Sequence, residues 1–157
     1  MAVAPSRQTF EFMNTALLAE PEQLTEMPFE NLRVRLPFGL LGFERVKEYE
    51  LISHEDFAPF FWLQFLDDPE LAFPVISPFV VDPTYQPEIS PDDERFLGLE
   101  CPSDALLLCV VTIRPTGGST VNLKGPIVIN RHSLVAKQVI PANAASFSLR
   151  HPLPIAD

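Results

Sequence analysis

Cysteine is scarce in this chain. Its 157 residues hold two, Cys101 and Cys109, too few for a disulfide framework. Cys109 lies inside an apolar run and reads as a small core residue. Basic residues are also few, 11 Lys and Arg against 21 Asp and Glu, for a net charge of −10. A direct nucleic-acid binder needs a basic surface to displace phosphate counterions, so that class is excluded. An acidic surface favours a basic protein partner instead. No apolar run is long enough for a membrane span. No basic region followed by a continuous apolar segment marks a secretory signal, so a cytoplasmic protein is expected.

Motifs for chemistry are missing as well. His54, His132 and His151 are far apart and share no ligand spacing with either cysteine. There is no Gly-x-Ser-x-Gly elbow and no His-Glu-x-x-His. The expectation is a non-enzyme without cofactor or metal. No internal repeat or low-complexity segment is present.

What the chain has in excess is proline. Its 17 prolines are about twice the usual frequency of ~5%. They argue against long helices and for short strands with rigid connections. The most apolar stretch runs from Phe60 to Val81 and contains the only tryptophan, Trp62. It reads as two buried strands joined at Asp67-Asp68-Pro69-Glu70, where Asp and Pro both favour a turn. Phe60, Trp62, Phe65 and Phe73 are expected in the core. Pro74 has no amide to donate, so its strand should be an edge there, or bulged. Phe79 to Val81 reads as a further short strand.

Elsewhere the signals are local. Residues 1–27 read as an N-terminal arm with at most one helical turn. Leu32, Val34 and Leu36 alternate with polar residues, the mark of a half-buried strand. Gly39 and Gly42 then permit positive φ in a tight loop. Glu44 to Glu48 reads as a helical turn and Tyr49 to Ile52 as a strand. Ser90-Pro91-Asp92-Asp93 starts a short helix that ends near Gly98. Ala105 to Arg114 is apolar on both alternating faces and reads as a central strand. Short strands follow at Ser119–Leu123, Ile127–Asn130, Leu134–Ile140 and Ser146–His151. The fold class is all-β, an antiparallel barrel or sandwich with one or two short helices, over residues 28–157. Acid is concentrated mid-chain: Glu44–Glu70 and Asp82–Asp104 each carry a net −6.

Several segments together resemble one family. Pro37-Phe38-Gly39-Leu40-Leu41-Gly42-Phe43-Glu44 is similar to the P-x-G-(I/L)-x-G-F-E loop of the flagellar assembly factor FliW. Trp62-Leu63-Gln64 and Asp68-Pro69-Glu70-Leu71-Ala72-Phe73 resemble that family's aromatic-x-Leu-Gln strand and the L-A-F block after it. Val121-Asn122-Leu123-Lys124-Gly125-Pro126-Ile127-Val128-Ile129-Asn130 is similar to its V-N-L-x-(A/G)-P segment. Ser77-Pro78-Phe79, Lys137-Gln138-Val139 and Ser148-Leu149-Arg150-His151-Pro152-Leu153 resemble further blocks in the same order. The resemblance spans about residues 29–153, and Leu41 stands where the family has a loop proline.

The resemblance implies a binding protein that antagonises the translational repressor CsrA and also binds flagellin. A dedicated flagellin chaperone without a translational role is the alternative it leaves. Polar residues set among aromatics are the candidate partner-binding positions: Gln64, Asp67, Asp68, Glu70, Asn122 and Asn130. For Asn122 and Asn130 the other reading is that they satisfy turn backbones.

Overall fold

The computed structural model of the protein describes residues 31–153. The N-terminal arm expected over residues 1–27 lies outside them. Period-two alternation in the sequence becomes four antiparallel strands: β1 (Leu32–Arg35), β2 (Glu48–Ile52), β3 (Phe60–Phe65) and β4 (Ala72–Ile76). Val34 pairs with Tyr49 and Tyr49 with Phe65, while Leu51 pairs with Leu63. All five are buried on one face. That row forms a core with Leu36, Leu40, Phe61 and Val75.

The expectation for Trp62 is corrected. Phe61, Leu63 and Phe65 point inward, so the pleat turns Trp62 and Gln64 to the opposite face. There Trp62 is half-buried and meets Phe57 edge to face at 6.1 Å. Phe60 and Phe73 are likewise only half-buried, at the margins of the two cores.

The long strand β5 (Ala105–Thr112) is central, as its apolar pattern requires. Leu106 and Leu108 enter the first core. Ala105, Leu107, Cys109 and Val111 enter a second core on the other face. Burial of Cys109 pushes its thiol pKa up, consistent with an inert packing residue. Around β5 stand β6 (Thr120–Val121), β7 (Ile127–Asn130), β8 (Ala136–Gln138) and β9 (His151–Pro152). Its first half pairs with β7 and its end with β6; β8 extends beyond β7, and β9 beyond β6. All these ladders are antiparallel. The strands do not close into a barrel, because β1 meets the β8 side only at one parallel bridge, Arg35 to Val135. The two apolar layers make the arrangement sandwich-like.

Two short helices cover the second core. The α1 helix (Pro78–Val81) replaces the strand expected there. The Ser77 hydroxyl accepts a bond from the Phe79 N–H at 3.1 Å, and Pro78 supplies the preset first turn, so a cap outweighs the β-branched run. The α2 helix (Pro91–Leu97) forms as expected. Ser90 caps it through the Asp93 N–H at 3.1 Å, and Gly98 ends it at φ 69°. Glu44 to Glu48 is not a helical turn: a bond from Val46 N–H to Phe43 O closes a loop, and Glu48 already belongs to β2. The strand expected over Ser146–His151 is shorter and later, because Phe147 N–H bonds Ala144 O and closes a 3₁₀ turn first.

Pro74 behaves as its chemistry predicts. Phe65 N–H bonds Leu71 O, so by antiparallel alternation Trp62 and Pro74 form a non-hydrogen-bonded pair. The missing amide of Pro74 therefore faces β5. The β4–β5 ladder contains only Val75 with Val110 and Ile76 with Cys109, and it stops at the proline.

Candidate protein-binding surface

The turn between β3 and β4 projects Asp67, Asp68, Pro69 and Glu70 into solvent. It is a braced loop. Leu71 N–H bonds Asp68 O at 2.9 Å, and the Gln64 amide donates to Pro69 O at 2.6 Å. The carboxylates of Asp67, Asp68 and Glu70 make no ion pair among the described residues. Three negative charges are thus held on a fixed backbone with their solvent side open.

The six candidate residues do not form one site. Gln64, Asp67, Asp68 and Glu70 share the hairpin end of β3 and β4. Asn130 pairs with Ala105, at the far end of β5 from that hairpin. About eight strand residues separate the two ends, on the order of 25 Å at ~3.3 Å per residue. Asn130 is also buried, with 6% exposure. Its Nδ2 donates to Leu97 O at 2.7 Å, and its Oδ1 accepts from the His132 and Ser133 N–H groups at 2.8 and 3.2 Å. It ties the end of α2 to the β7–β8 turn. Asn122 is half-buried; its Oδ1 accepts from Lys124 N–H at 2.9 Å, and it lines a recess beside Phe73 and Val110.

A second cluster lies near Asn130. The Asp104 carboxylate accepts from Glu100 N–H at 2.9 Å, Cys101 N–H at 3.1 Å and His132 Nε2 at 2.9 Å. These bonds, that from Glu100 foremost, hold its pKa down to about 2 from the ordinary 3.8. A carboxylate with a depressed folded-state pKa stabilises the fold above its unfolded pKa. That contribution is lost as the pH falls through the folded value. Denaturant titrations between pH 4 and 2 should therefore show a loss of stability that is smaller in Asp104→Asn, with equal slopes counting against the bonded carboxylate. No group of three or more His, Cys, Asp or Glu is placed to hold a metal among the described residues. Nor is any helix there long and apolar enough to cross a membrane.

Exposed apolar side chains gather on the glycine loop. Phe38, Leu41 and Phe43 are 54%, 66% and 37% exposed. Phe38 packs against Phe96 of α2 at 5.1 Å, and the Lys137 ammonium lies over both rings while pairing with Asp93. Phe43 packs edge to face on Phe65 and Phe73, at 5.6 and 5.1 Å. The sequence marks this loop only as a turn, because nothing local says which of its side chains find a neighbour.

A sequence model of the FliW protein family matches residues 20–153. The chain belongs to the FliW family. It is 39% identical over 120 residues to the flagellar assembly factor FliW of Geotalea uraniireducens, covering 76% of this chain and 72% of that one. It is 37% identical over 131 residues to that of Treponema denticola, covering 83% and 87%. A crystal structure of a flagellar assembly factor FliW superposes with a TM-score of 0.70 at 35% identity, covering 77% of this chain and 84% of the other. The FliW-like blocks now have places. The glycine loop lids the first core, the Trp62–Phe73 blocks make the acidic hairpin, and Val121–Asn130 spans β6 and β7. In that last block Gly125 packs closely, and a Cβ there would lie 3.1 Å from the Gln138 amide nitrogen, which would have to shift by a few tenths of an ångström. That amide donates to Gly125 O while its oxygen accepts from Leu41 N–H, so it stitches the block to the glycine loop.

Proposed function

We propose that this protein is a flagellar assembly factor that binds the translational repressor CsrA and flagellin, coupling flagellin synthesis to assembly. The observation that carries the reading is the braced acidic hairpin. Three carboxylates without ion pairs among the described residues stand on a turn fixed by Gln64, a form suited to a basic partner. Negative charge beside the RNA-binding face of a repressor also repels phosphate from it. Because the turn is preformed, little ordering entropy opposes docking. Cytoplasmic location belongs to the same reading.

Titration calorimetry with the repressor of the same organism tests this. Asp67→Asn, Asp68→Asn and Glu70→Gln combined should weaken binding about tenfold at low salt, with a smaller effect at high salt. No binding of the parent protein at low salt would end the proposal. Unchanged affinity in the folded triple variant, and in Gln64→Ala, would move the interface away from the hairpin.

The dedicated flagellin chaperone is favoured by one feature, the exposed apolar side chains and interrupted ladder beside Pro74. Competition between flagellin and the repressor supports coupling; simultaneous binding supports a separate chaperone role.

A further inference from the structure

Beside the end of the β4–β5 ladder lies a groove whose charge is opposite to that of the chain. One recess of about 440 Å³ has an apolar floor of Leu40, Leu41, Phe73, Val110 and Leu149. Thr112, Thr120, Asn122 and Gln138 supply polar groups along it. Its charged residues are Arg114 and Arg150, and no carboxylate lines it. Neither guanidinium has a hydrogen bond or ion pair among the described residues. In a chain with 21 acidic and 11 basic residues, two exposed arginines with no carboxylate beside them in the lining among the described residues form a local positive pole. Leu41 and Leu149, 66% and 57% exposed, face the same recess.

A second recess of about 440 Å³ shares Phe73, Val110 and Thr112 and is lined also by Pro74, Val111 and Ile113. Main-chain groups of β4 and β5 point toward each other there. Ala72 and Pro74 turn theirs away from β3, as the Phe65–Leu71 bond fixes. Asn122 N–H bonds Val110 O, so Val111 and Ile113 turn theirs away from β6 and toward β4. The ladder ends at Val75 and Val110, because Pro74 has no N–H to give to Val111.

We infer that this groove binds an extended segment of a partner protein that carries leucine-like side chains together with carboxylates. The apolar floor takes the aliphatic side chains. Arg114 and Arg150 take the carboxylates, for which the planar guanidinium fork is matched. This surface differs in sign from the acidic hairpin, so the two select segments of opposite charge. The inference rests on the chain being a binding protein but on neither named partner, so the repressor titration and the test below fail independently.

The probes are two fluorescein-labelled peptides with the same leucine spacing, one with glutamates and one with lysines between the leucines. Fluorescence anisotropy with the full chain should show the acidic peptide binding about tenfold tighter than the basic one. Arg114→Glu with Arg150→Glu, two exposed positions, should invert that preference while circular dichroism stays unchanged. Amide shifts on titration should map to Phe73, Val110, Thr112 and Leu149. Equal or better binding of the basic peptide, an unaltered preference in the double variant, or shifts at another face would each overturn the assignment. Tighter binding of a single-stranded oligonucleotide than of the acidic peptide would overturn it too. So would concentration-dependent dimerisation in sedimentation that the double variant abolishes, since the groove would then belong to a second copy.

Discussion

Gly39→Ala will destabilise the protein by about 3 kcal/mol or more, among the larger losses a single substitution causes. Two penalties combine. Gly39 has φ +67°, where an L-residue is strained by about 1–2 kcal/mol. A Cβ there would also lie 2.6 Å from Glu44 Cα and from Phe43 O, which are backbone atoms and cannot swing aside as a side chain would. Relief requires moving the Phe43–Glu44 segment, and Phe43 is the ring that covers Phe65 and Phe73. Gly42 is the control. Its φ is +91°, but nothing lies within 4 Å of a Cβ at that site. Gly42→Ala should therefore show the dihedral cost alone, ~1–2 kcal/mol. Urea denaturation of both variants measures the difference as a shift in midpoint at constant slope. Equal losses would mean that the close approach across the loop carries no energy.

Asn130→Ala will cost about 2–4 kcal/mol and, on the proposed function, leave repressor binding intact in the molecules that fold. The amide makes three bonds of good length, to Leu97 O, His132 N–H and Ser133 N–H. Removing it strands the buried Leu97 carbonyl, at about 1–3 kcal/mol, and two part-buried N–H groups at less each. Asn130→Asp is the informative companion. It keeps the acceptor for the two N–H groups but replaces the donor to Leu97 O with a negative oxygen facing that carbonyl. It should be at least as damaging as alanine. A variant that folds with parent stability but no longer binds the repressor would return Asn130 to the interface.

Much of the fold was legible because its causes are local. The acidic hairpin follows from two apolar runs and an Asp-Asp-Pro turn. The α2 helix follows from Ser90, Pro91 and Gly98, all within its own segment. Pro74 announced the end of its ladder because a missing amide is a property of one residue. Where local signals competed, the reading failed: Phe79 to Val81 is β-branched and aromatic, but Ser77 and Pro78 set a helical turn. Trp62 was misplaced for another reason. The alternation of Phe61, Leu63 and Phe65 puts it on the opposite face, and whether that face is covered depends on elements distant in sequence.

The sequence by itself determined the strand alternation, the turns, the net acidity and, through blocks spread from Pro37 to Leu153, the family. Tertiary structure alone decided which polar residues are available. Asn130 is engaged by Leu97, 33 residues earlier in the chain. The three hairpin carboxylates make no ion pair among the described residues, and Gln64 bonds the backbone between them. The arginine-lined groove was invisible in the same way, since its walls come from the glycine loop, β4, β5, β6, β8 and the segment before β9. Strand period and turn chemistry depend on neighbours along the chain. A binding surface depends on which segments meet across the fold, and here that was set by a two-faced central strand and the proline beside it.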